Sequence, residues 1–150
     1  MRTITFTILG GGVLAVCLAL AANRAAPEDL VRAAALDYVE GLYQVDPPRI
    51  ERCVHPDLVK RGFYWQRATG AYAPDTMTFK DLVKLAGEWN RDQHVAKDAP
   101  KEVAVFDVSD QTASAKVVAV WGIDYLHLAK YDGQWKIVNI LWQSPPPKRG

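Results

Sequence analysis

Few side chains in this sequence are placed to do chemistry, and two of them are drawn together by one hairpin. Asp124 and Asn139 flank Asp132-Gly133 within residues 123–143, IDYLHLAKYDGQWKIVNILWQ. Asp-Gly between alternating runs favours a two-residue type I′ turn, because both central residues accept positive φ. Counting outward pairs Tyr131 with Gln134, Lys130 with Trp135, Leu128 with Ile137, Leu126 with Asn139 and Asp124 with Leu141. One face then carries Asp124, Leu126, Leu128, Trp135, Ile137, Asn139 and Leu141, a core face with a carboxylate close to an amide. Buried polar groups cost free energy unless they find partners or a wet cavity. Such a pair could clasp a ligand, with Asp124 as acceptor or general base and Asn139 as orienting amide. The alternative is that they bond to each other or to the helices and serve only the fold.

Tyr38, projecting from a helix toward the same face, would add a hydroxyl, unless it is simply a packed core tyrosine. His55 precedes Pro56 at a helix end, where a group titrating near neutral pH could move a proton at a pocket mouth. Its structural alternative is a local cap with Asp57. Trp65, Trp89 and Trp121 offer aromatic walls, although each is also an ordinary core residue.

The opposite face of the hairpin carries Tyr125, His127, Ala129, Lys136, Val138, Ile140 and Trp142. It is too apolar to be left wholly in water, which points to a homodimer burying Tyr125, His127, Val138, Ile140 and Trp142 against a second copy. Cover by the C-terminal tail is the other solution.

Several classes find no support in the sequence. His55, His94 and His127 lie far apart, with no carboxylate spacing that would hold a metal. Gly10-Gly11-Gly12 is the one glycine run and belongs to an N-terminal apolar segment, so no phosphate-cradling loop and no cofactor is expected. No serine occupies a G-x-S-x-G elbow. The net charge of +1 gives no concentrated basic face for nucleic acid.

Those side chains need a frame. Arg2 followed by the apolar run 4–22, with small residues at Ala19 and Ala21, has the pattern of a cleaved secretory leader. The expected destination is periplasmic or extracellular, and the alternative is a membrane anchor formed by residues 4–22. Lipidation at Cys17 is disfavoured because Val16 precedes it. Cys53 is then the lone cysteine of the mature chain, a small buried hydrophobe rather than a nucleophile.

Pro27 opens a helix over 27–43 with Val31, Ala35, Tyr38 and Leu42 as its stripe. Asp46 caps a short helix over 47–54. Residues 63–67 read as a strand and 69–74 as a loop or a poor hairpin arm. Thr78, with Asp81 as capping-box partner, starts a third helix ending near Asn90. Strands follow over 102–108 and 113–122, then the hairpin, and 144–150 is a frayed tail. Three helices packed on a curved, mostly antiparallel sheet define an α+β domain over 27–143, and a twisted sheet under a long helix encloses a cone.

The chain resembles the NTF2-like superfamily and, within it, the small bacterial group labelled putative lumazine-binding proteins. Asp124-Tyr125-Leu126-His127-Leu128 and Asp132-Gly133-Gln134-Trp135-Lys136-Ile137-Val138-Asn139-Ile140-Leu141-Trp142 carry the resemblance, joined by residues 35–41 and 55–61. It implies the cone-shaped fold, often dimeric. Some members of the superfamily are isomerases, dehydratases or cyclases, but their catalytic motifs do not map onto these residues. The leading expectation is an exported domain binding a small, largely apolar molecule in its cone without turnover, through Tyr38, His55, Trp89, Trp121, Asp124 and Asn139. The alternatives are an isomerase or dehydratase with Asp124 or His55 as base and Tyr38 as electrophilic partner, and a protein interaction module.

Overall fold

The computed structural model describes residues 25–146. The leader expected over 1–22 and the last four residues of the tail lie outside them. The first helix, α1 (Pro27–Tyr43), has Pro27 at its first turn, Glu28 and Asp29 at its positive end, and buries Val31, Ala35, Tyr38 and Leu42 as its period predicts. After α2 (Pro47–Cys53), whose N-terminus Asp46 caps, the chain runs directly into β1 (Val54–Gln66) and returns as β2 (Ala71–Thr78). Both arms are longer than their sequence suggests. The β2 stretch AYAPDTMT is polar and holds a proline, which an edge strand tolerates.

Thr78 and Asp81 form the expected reciprocal capping box on α3 (Phe79–Ala86), which ends before Asn90. Then β3 (Lys101–Val108), β4 (Thr112–Ala119), β5 (Gly122–Tyr131) and β6 (Gln134–Gln143) meander antiparallel. The sheet order is β2-β1-β6-β5-β4-β3, and β1 lies parallel to β6. The helices pack on one face; α1 crosses it against β3, β4 and β6. Arg49 bridges α2 to Asp37 and Glu40 of α1, and Lys101 of β3 reaches Glu40 at 2.6 Å.

The Asp132-Gly133 turn forms with φ of 49° and 77°, and pairing begins as expected, Tyr131 with Gln134 through Leu128 with Ile137. There the register slips. His127 pairs with Asn139, Leu126 with Ile140 and Asp124 with Trp142, so Val138 is an extra residue forming a bulge. Because side chains alternate, one inserted residue exchanges faces for everything beyond it. Asn139 therefore lies on the outer face, its Nδ2 3.4 Å from His127 Nδ1, and Leu141 is exposed. Ile140 is fully buried and Trp142 packs against the core, the reverse of the outward placement expected for both. Asp124 keeps its inward position.

Removing the Thr78 hydroxyl tests the cap that starts α3. Thr78→Ala is expected to lower unfolding free energy by about 1 kcal/mol in urea titration, with an unchanged slope.

Candidate functional site

The bulge and the parallel β1–β6 pairing set two rows of inward side chains across the sheet. One row runs Val117, Asp124, Trp142, Gly62, Asp75, and the next Ala115, Leu126, Ile140, Lys60, Met77. Glycine in the first row is a matter of space. A Cβ on Gly62 would fall 2.4 Å from Trp142 Cδ1 and 2.0 Å from its carbonyl oxygen. The bare backbone lets the indole lie across β1, where Lys60 Nζ sits 5.4 Å from its centroid.

Between β4 and β5, Gly122 turns the chain at φ 134°, where its Cα packs against the Gln143 carbonyl with no room for a Cβ. The turn aims Trp121 back over Asp124. Its indole N–H donates to both carboxylate oxygens, at 3.2 and 3.1 Å. From α1, the Tyr38 hydroxyl donates to Asp124 Oδ2 at 2.7 Å and accepts from Lys60 Nζ at 2.6 Å. Lys60 Nζ lies 3.8 Å from the same carboxylate oxygen, and the side chains of Lys60 and Asp124 are 6% and 0% exposed. Three elements thus meet in a buried chain, ammonium to phenol to carboxylate.

Burial governs its protonation. Desolvation, reinforced by the Asp124 charge and hydrogen bond, pushes the Tyr38 phenol well above its ordinary value of 10.0. Desolvation also pulls the Lys60 ammonium down, opposed by attraction to Asp124 and Asp75. Cys53, buried behind α2, is pushed up to about 12 by desolvation, which fits a packing role.

Next to this chain a cavity of about 160 Å³ opens to one side of the cone. Trp89, Trp121 and Trp142 form its aromatic walls, Leu42, Met77 and Leu85 its aliphatic ones, and Lys60 and Asp75 its polar groups. Trp89 crosses Trp121 edge-on, centroids 5.4 Å apart, and stacks on Tyr43. Tyr38 and Asp124 stand behind the lining and reach the cavity through Lys60 and Trp121.

Of the residues expected at a site, Tyr38, Trp89, Trp121 and Asp124 come together here. His55 does not. It stacks on Tyr131 at 4.2 Å and accepts the Asp57 backbone N–H, the local cap. Trp65 crosses Tyr72 edge-on near the start of the tail, where Ser144 Oγ takes its backbone N–H. Asn139 is turned away by the bulge. Sequence reasoning missed Lys60 and the inward Trp142. A lysine between Leu58 and Gly62 breaks the apolar alternation that would reveal a strand, and only the β1 register discloses it. Among the described residues no cluster of ligating side chains could hold a metal ion, and no helix is long and apolar enough to cross a membrane.

A long helix laid across a curved six-stranded sheet, with an aromatic cavity at one end, is the NTF2-like cone. Within that class, the chain belongs to the family described as "Putative lumazine-binding", whose model matches residues 26–143. Solved structures agree on the fold. An NTF2-like protein of unknown function from Silicibacter pomeroyi superposes with TM-score 0.56 at 19% identity, over 79% of this chain and 97% of that one. One from Shewanella baltica gives 0.59 at 15%, over 79% and 94%. A structure titled "Putative Scytalone Dehydratase" from Novosphingobium aromaticivorans gives 0.53 at 14%, over 79% and 83%. No curated protein matches the chain.

Two outcomes check this geometry. Gly62→Ala is expected to displace Trp142, shifting its emission to the red and costing about 1–3 kcal/mol of stability, the range for overpacking. In alkaline titration Tyr38 stays protonated beyond the ordinary phenol value of 10.0, because its hydroxyl is desolvated beside the Asp124 charge. Its raised folded value makes its contribution to stability complete below pH 10.0 and lost as pH rises through that folded value. The late tyrosinate step therefore coincides with unfolding and disappears in Tyr38→Phe.

Proposed function

We propose that the domain binds a small, planar, largely apolar molecule in the aromatic cavity, held by an acceptor group on Lys60, without turning it over. One observation carries the reading. Lys60, 5% exposed, uses one N–H on Tyr38, and its other two have no hydrogen-bond partner among the described residues. An ammonium has three donors, and leaving buried ones unmade costs free energy. A carboxylate, enolate or ring carbonyl entering the cavity would accept from them. Size supports a small guest, since a dry cavity of about 150 Å³ holds one benzene. The opening toward solvent leaves space for a second ring. The family's lumazine-binding description agrees with a small-molecule ligand.

The acid–base alternative draws less support. Both oxygens of Asp124 are occupied by Tyr38 and Trp121, and His55 stands elsewhere. Tryptophan fluorescence against a panel of aromatic carboxylates and ketones tests the binding reading. Saturable quenching is expected, and Lys60→Met, checked for folding by circular dichroism, should weaken it tenfold or more, about 1.4 kcal/mol. Absence of quenching by every probe would sink the reading.

A second reading, a homodimer through the outer sheet face, is favoured by Tyr125 and Leu141. They pair across β5 and β6 and are 49% and 47% exposed. Ile123 and Phe63, also exposed, continue the patch on neighbouring positions. Light scattering should give twice the chain mass, and Leu141→Glu should halve it. A wild-type monomer at high concentration removes this reading. The apolar run 4–22 supports export, and N-terminal sequencing of the mature protein would find the chain beginning after Ala21.

A further inference from the structure

We infer that Lys60 captures small aromatic aldehydes or ketones as a reversible imine, so the cavity is a covalent site for carbonyl compounds. The inference rests on the reading of that cavity as a ligand site and adds the class of ligand and the bond. An amine nucleophile must shed its proton, sit in an apolar pocket and face the carbonyl carbon. Lys60 has the setting for this: it lines the cavity with Trp142, Trp121 and Met77, and its Nζ sits 5.4 Å from the Trp142 ring centroid. Its proton has an outlet, because the Tyr38 hydroxyl accepts from Nζ at 2.6 Å and donates to Asp124 at 2.7 Å. One concerted shift along these two bonds turns ammonium and carboxylate into amine and carboxylic acid and leaves the phenol unchanged. The low-dielectric setting that penalises the separated charges favours that shift.

The freed nitrogen lone pair then forms a C–N bond to the carbonyl carbon, and the C=O π pair moves to oxygen. The carbinolamine oxygen then takes two protons from nitrogen, the second replaced there by the one Asp124 returns through Tyr38, and leaves as water while the nitrogen lone pair forms C=N. Overall, ammonium plus carbonyl compound give protonated imine plus water, with no change of charge and no redox partner. The cation stays at the same place, and the Asp124 carboxylate, which accepts the Trp121 N–H, remains its counter-ion 3.8 Å away. Tyr38 is a positioning and relay residue and touches no reacting carbon. Asp75 is the carboxylate on the cavity lining itself, and its charge also favours the iminium.

The full chain, incubated with benzaldehyde and cyanoborohydride, digested and mapped by mass spectrometry, decides the matter. Lys60 is expected to carry the N-benzyl group at least tenfold sooner than the exposed Lys80, despite its burial. Tyr38→Phe, folded by circular dichroism, should slow labelling at Lys60 several-fold and leave Lys80 unaffected, a result that a merely structural tyrosine would not give. Benzyl alcohol, which cannot form an imine, separates the two levels of the argument. Tryptophan quenching by both compounds, with Lys60 labelled no faster than Lys80, overturns the imine and leaves the ligand site standing. No quenching by either, with no adduct at Lys60, overturns both.

Discussion

A carboxylate with no access to water sits at the centre of this structure, and the rest is arranged around keeping it satisfied. Asp124 is fully buried, yet Tyr38 supplies one hydrogen bond to it, Trp121 one N–H shared between its two oxygens, and Lys60 a nearby cation. An isolated buried charge would cost several kcal/mol, so each partner must be in place when the domain closes. The partners come from α1, β1 and the turn before β5. The electrostatic need of one residue therefore fixes how the long helix lies in the sheet and how β1 meets β6. The same need places a lysine in an aromatic wall, where the Tyr38 hydroxyl is its one hydrogen-bond partner among the described residues.

Much of the frame was legible because its signals are local and chemically specific. Asp132-Gly133 demands positive φ at two successive residues, and only a I′ hairpin satisfies that demand here. The stripe Val31, Ala35, Tyr38, Leu42 allows only one helix face to be buried, and Thr78 with Asp81 is a reciprocal cap readable in four letters. Asp124 on an apolar face correctly signalled a partnered polar group. The bulge was not legible. Ile137 and Val138 on one side of Asn139, and Ile140, Leu141 and Trp142 on the other, are apolar on both faces, so either register offers the core a greasy face, and hydrophobicity cannot choose between them. That ambiguity turned Asn139 inward, and Ile140 and Trp142 outward, the opposite of where the sheet places them.

The other gap concerns residues whose roles arise from non-local pairing. Lys60 meets Asp124 only because a parallel strand pair brings distant segments side by side, and no short window of sequence carries that information. Gly62 has no side chain by which a strand pattern could reveal it. In the sheet it is the space into which an indole fits. The three solved structures compared above, each under a fifth identical, speak for the cone alone. The chemistry of this cavity belongs to its own residues rather than to the fold.

The parallel seam between β1 and β6 also governs how the chain reaches its native state. β1 is made early and gains β2 at once, but its other edge stays open until the last strand has left the ribosome. Until then a row of unpaired amides, with apolar side chains beside them, is available to any passing strand. High contact order of this kind slows folding and lengthens the exposed interval. Truncation before Asn139 would remove every residue that pairs with Val59 to Phe63 of β1, so β6 acts as the latch that joins the two halves of the sheet.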